Sequence, residues 1–81
     1  MEYEALKRSI EHVLQVYIKE IGLESTFAGD LGADSIDMVQ IFRDTEQELG
    51  IQIPDVDFEK IITVQDALDI IRECSGGTVY D

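Results

Sequence analysis

Apolar side chains recur every third or fourth residue along most of this chain, and that spacing makes helices the simplest way to bury them together. In the first stretch Leu6, Ile10, Val13, Leu14, Tyr17, Ile18 and Ile21 trace one helical face, which predicts a helix over residues 2–21 stopped by Gly22. His12 falls off that stripe and is expected in solvent. In the second stretch Val39, Phe42, Glu46 and Leu49 follow at helical spacing, with Ile41 and Thr45 beside them, and Gly50 ends the run. In the third, Val64, Ala67, Leu68 and Ile71 form the apolar face. Asp34 and Thr63 stand where N-caps belong, each with an aspartate three residues on (Asp37 and Asp66) in the manner of a capping box.

The segments between are short. Residues 22–34 read as a loop pinned to the core by Phe27 and Leu31. "IQIPD" reads as an extended exit with Pro54 as a breaker, and "DVDFEKII" as a brief helical turn that buries Phe58 and Ile61. With one Pro and six Gly the chain has too little turn chemistry for a sandwich or barrel. The expectation is an all-α fold, a small four-helix bundle of three long helices and one short one. It forms one domain over residues 1–74, and "SGGTVYD", residues 75–81, is a flexible tail.

Charge narrows the function. Six basic residues face 18 acidic ones, giving −12 at pH 7, so phosphate backbones and anionic membranes would repel the chain. A basic protein surface is the natural partner; the plainer alternative is that acidity only keeps the protein soluble. A hydrophobic fraction of 44 % sets the chain apart from disordered acidic tails. No stretch is apolar enough to span a bilayer, and "MEYEALKRSIEHV" lacks the apolar centre of a signal peptide, so a cytoplasmic location is expected. The single Cys74 has no internal disulfide partner, which agrees with a reducing compartment.

One serine draws attention. "GDLGADSIDMV" sets Ser35 among Asp30, Asp34 and Asp37 where the second helix should begin. Nucleophilic catalysis would need a neighbouring base, but the only histidine is His12 on another helix, and there is no G-x-S-x-G elbow. A calcium loop counted from Asp30 has Gly32 third, Ser35 sixth and Ile41 twelfth, so the EF-hand template fails and no metal site is assigned. Two readings stay open. Ser35 either helps start the helix, or it is an exposed hydroxyl awaiting modification, where an added phosphodiester would gain roughly 0.3–1 kcal/mol from the helix dipole.

"DLGADSIDMVQIF", followed by "ELGIQIPD" and "EKIITVQDAL", resembles the acyl carrier proteins of fatty acid, lipid and polyketide synthesis, over Phe27 to about Ile71. The resemblance implies a non-catalytic monomer whose Ser35 bears 4′-phosphopantetheine, transferred from coenzyme A by a phosphopantetheinyl transferase, with acyl chains held as thioesters on that arm. It implies that Asp34, Ile36, Asp37, Met38, Arg43 and Glu46 face partner enzymes with basic docking surfaces. It aligns Phe27, Ile41, Thr45, Ile53, Phe58, Ile61, Ala67 and Leu68 with an acyl pocket. The chain departs from the family in a short loop between Gly22 and Phe27, in Arg43 where an apolar residue is common, in Gln40 and Gln47 at places often acidic, and in Thr45 and Phe58. Those departures suit a specialised pathway. The rival readings are a peptidyl or D-alanyl carrier, which usually has different residues around its serine, and an unmodified acidic interaction module.

Overall fold

The computed structural model describes residues 2–17, 19, 21–54 and 56–77, with side chains as far as Cys74. It contains three α-helices, α1 (Glu2–Leu14), α2 (Ser35–Leu49) and α3 (Val64–Gly77), and a 3-10 turn, Phe58–Lys60, ahead of α3. Every regular element among the described residues is helical; Thr26 and Thr63 form one isolated antiparallel bridge.

Each helix buries the stripe its spacing provides. Leu6 and Ile10 of α1, Ile41 and Thr45 of α2, and Val64, Ala67 and Ile71 of α3 are fully buried, with Leu68 at 1 % exposure. At about 1.5–3 kcal/mol for each large apolar side chain removed from water, this shared interior is the main force holding the helices together. Thr45 brings a hydroxyl into it, satisfied by donating to the Ile41 carbonyl at 2.8 Å. In α2 the inward stripe lies one residue from its expected position: Met38 is buried and Val39 is 36 % exposed.

α1 ends at Leu14 rather than running to Ile21. Gln15 takes a left-handed conformation (φ 57°), which breaks the helical path seven residues before Gly22. Tyr17 is then 70 % exposed, while Ile21 reaches the interior from the returning loop, at 6 % exposure. Tyr17 and Ile21 therefore lie beyond α1, Lys19 between them is in a 3-10 conformation, and Ile18 lies outside the described residues. His12 is exposed as expected but not idle: its Nδ1 donates to Asp44 Oδ2 at 2.9 Å, linking α1 to α2. One turn away the Arg8 guanidinium donates to Glu48 Oε2, through Nε at 2.9 Å and through Nη2.

The expected fourth helix is the three-residue 3-10 turn, capped by Asp57, whose carboxylate accepts from Glu59 N at 3.1 Å. Ile61 is buried there and Phe58 half-buried. α3 continues to Gly77, into the segment read as tail; residues 78–81 lie outside the described residues.

The start of α3 carries the second capping box. Thr63 Oγ1 accepts from Asp66 N at 3.2 Å, and Asp66 Oδ2 accepts from the Thr63 and Ile62 N–H groups, each at 3.0 Å. The N–H bonds from Thr63 and then Ile62 hold the Asp66 carboxyl below the usual range. Since its folded pKa is depressed, its stabilisation is complete above the unfolded value of about 3.9 and fades as pH falls through the folded one. Asp66→Ala is expected to lower stability at pH 7 by about 1 kcal/mol, the typical value of a cap. In urea titrations the gap between parent and variant should close as pH is taken below about 3.9.

Candidate functional site

Ser35 is the first residue of α2, and a tightly tied loop determines where it points. Phe27, at 2 % exposure, anchors that loop in the interior, and Ala33 is buried beside it. Phe27 N donates to the Ile62 carbonyl at 3.0 Å, Val64 N to Ser25 O at 3.0 Å and Ala33 N to Phe27 O at 2.7 Å. Thr26 and Asp30 exchange bonds: Asp30 Oδ2 accepts from Thr26 N and Thr26 Oγ1 accepts from Asp30 N, both at 2.9 Å. Gly32 turns the chain at φ 68°, where a side chain would be strained. Leu31, expected as a second anchor, is half-buried.

Asp34 then caps α2. Its Oδ1 accepts from Asp37 N at 2.9 Å, and Asp37 Oδ2 accepts from Asp34 N at 3.2 Å. The Ser35 side chain is exposed and has no hydrogen-bond partner among the described residues. The hydroxyl therefore stands at the positive end of the helix with its oxygen accessible, which suits it to hold a phosphodiester. It lacks a base of its own: His12 is tied to Asp44 across the α1–α2 seam. Burial, and then the nearby Glu73 and Glu46 carboxylates, push the pKa of the half-buried Cys74 thiol up.

Beside Ser35 opens a cavity of about 170 Å³, lined chiefly by Phe27, Ala33, Met38, Phe58 and Ile61. A second, of about 210 Å³, lies further along α2 among Val39, Phe42, Ile53, Val56 and Phe58. Of the eight residues aligned with an acyl pocket, Phe27, Phe58 and Ile61 line the first and Ile53 and Phe58 the second. Ile41, Thr45, Ala67 and Leu68 line neither and are interior packing. The sequence pattern singled out neither Ala33 nor Val56, and it gave Met38 a docking role instead; a small residue and a flexible thioether flanking the serine were the available signal.

The residues read as a partner surface divide. Ile36 (68 % exposed), Asp34 and Arg43 face solvent. Ile36, Val39, Gln40, Arg43 and Asp44 line an open groove of about 360 Å³ on the outer side of α2. Met38, by contrast, is buried at 5 % exposure, because one residue on a helix is a 100° rotation, and it serves the cavity instead of a docking face. Asp37 is half-buried in the capping box. Glu46 is half-buried and committed: its carboxylate accepts from Ile53 N at 2.6 Å, and its carbonyl accepts from Gly50 N and Ile51 N. Arg43 has neither an ion pair nor a hydrogen bond among the described residues.

Residues 4–71 match the family described as the phosphopantetheine attachment site, which covers Ser35, its loop and both cavities. Acyl carrier proteins from two strains of Clostridium perfringens, SM101 / Type A and ATCC 13124, are each 45 % identical to the chain over 71 residues, 88 % of this chain and 93 % of theirs. The chain therefore belongs to the acyl carrier protein family, and 4′-phosphopantetheine is its cofactor. The geometry fits that group, with an accessible hydroxyl at a helix start and an apolar recess next to it.

Asp34→Ala removes the cap that fixes this start. It is expected to cost about 1–2 kcal/mol in chemical denaturation, with helix loss confined to the first turn of α2 in amide exchange.

Proposed function

We propose that Ser35 is the residue that carries 4′-phosphopantetheine, and that the chain holds acyl groups and presents them to biosynthetic enzymes without catalysing a reaction itself. The observation that carries this reading is the exposed, unbonded Ser35 hydroxyl at the N-terminus of α2, opening beside an apolar cavity. The arm supplies a thiol on which an acyl chain is held as a thioester. Ser35 Oγ forms the bond to phosphorus as the bond to the nucleotide half of coenzyme A breaks. Its proton must pass to a base of the transferase, since His12 is held on α1. The Asp34–Asp37 box keeps the hydroxyl in one place for that enzyme, and the cavity walls give an apolar chain somewhere to leave water. With the 3-10 turn counted as the short member, the fold is a four-helix bundle, and the protein works as a cytoplasmic monomer.

The partners are a phosphopantetheinyl transferase and acyl-processing enzymes with basic docking surfaces, drawn by the −12 charge and released quickly. Arg43 marks the chain for a specialised set of them. Its free cation stands in the outer groove one turn beyond Val39, on the stripe that begins at Ile36 and next to Asp44, where a basic partner would be repelled and an apolar contact is lost.

Two measurements test this. Incubation with coenzyme A and a promiscuous transferase should add the mass of one phosphopantetheine group to the parent and none to Ser35→Ala; an unchanged parent mass would remove the carrier reading. A ketosynthase of general fatty acid synthesis should elongate acylated Arg43→Met roughly tenfold or more faster than the acylated parent, from two effects on the order of 1 kcal/mol each. Equal rates at low and high salt would show that Arg43 does not choose partners.

A further inference from the structure

The two cavities along α2 share one lining residue, Phe58. Its ring meets Phe42 edge-on, with centroids 5.5 Å apart and planes at 81°. Phe42 is anchored on α2 at 4 % exposure, while Phe58 is half-buried on a turn of only three residues. An edge-to-face pair of this kind is favourable beyond the area it buries, so the closed arrangement is the resting one. We propose that the Phe42–Phe58 pair is a partition that divides the space beneath the modified serine and limits sheltered cargo to short acyl chains, of about six carbons.

The size follows from the volume on the Ser35 side. A sealed apolar cavity of about 150 Å³ accepts a six-carbon guest such as benzene, and this recess, which opens to solvent at a mouth carrying Asp34 and Glu59, measures about 170 Å³. A longer chain has to displace the Phe58 ring to reach the space among Val39, Ile53 and Val56, or leave its outer carbons in water. Either course removes the gain from each further methylene. The residue best placed to yield is Phe58, which is half-buried on a three-residue turn, whereas Phe42 sits deep on α2.

The inference rests on the carrier reading, and the experiment separates the two. The parent, Phe58→Leu and Phe58→Ala are loaded by a transferase from acyl-coenzyme A donors with chains of two to twelve carbons. Intact mass confirms loading, and Tm is compared with that of each unacylated holo form. In the parent, Tm should rise by at most about 3–6 °C per added methylene up to about six carbons and then stop rising. In Phe58→Leu the break should move to longer chains, and in Phe58→Ala further still; Phe58→Leu keeps the interior apolar if Phe58→Ala folds poorly. Hydroxylamine cleavage of the thioester should slow over the same lengths. A parent whose Tm climbs steadily to twelve carbons, one with no length dependence, or a break identical in all three proteins would overturn the partition while leaving the carrier reading intact. Absence of loading at any length would overturn both.

Discussion

The reciprocal bonds between Asp34 and Asp37 decide more than any other contact in this molecule. A helix start exposes unsatisfied N–H groups, and where the chain satisfies them determines which residue becomes the first of the helix. Here that residue is Ser35, whose hydroxyl is left without a partner while its neighbours' carboxylates are occupied. The loop before it, anchored by Phe27 and bonded to the start of α3, sets the position of that cap. The groove, the cavities and the serine then follow from the single rotational setting of α2.

The acidic surface looks different once its bonds are known. From the sequence, Asp30, Asp34, Asp37, Asp44, Glu46 and Glu48 form a crowd of like charges. In the fold each accepts from a donor: Thr26 N, Asp37 N, Asp34 N, His12, Ile53 N and Arg8 in turn. Local repulsion is thus offset group by group, while the net charge stays available at long range. One set of carboxylates can fix loops and caps and still present a negative face to basic partners.

Much of this was legible beforehand because it depends on neighbours in sequence. The caps at Asp34 and Thr63, the stop at Gly50 and the α3 stripe of Val64, Ala67, Leu68 and Ile71 all rest on residues within one or two turns of each other. What was not legible depends on distant chain. The spacing of Tyr17 and Ile21 imitates a helix, but the positive φ of Gln15 ends it, and Ile21 is buried by where its loop returns. Met38 and Val39 exchange their expected roles because α2 is turned by its packing against α1. Glu46 reads as a surface acid until Ile53, seven residues on, folds back to donate to it. The cavities beside Ser35 need Phe27, Met38 and Phe58 brought together from three separate elements.

The two side-chain links between α1 and α2 act as a vernier. Arg8 and His12 stand one turn apart on one helix, and Asp44 and Glu48 one turn apart on the other, paired in reverse order. Exposed pairs of this kind add little cohesion, since water and salt screen them. Their spacing does something else. If α1 slid along α2 by one turn, about 5.4 Å, Arg8 would meet Asp44 while His12 met Gln40; in the other direction His12 would meet Glu48 and Arg8 would be left over. Only one alignment fills both rungs. The two rungs therefore mark the same axial register as the packed interior, on the helix whose far end bears the serine.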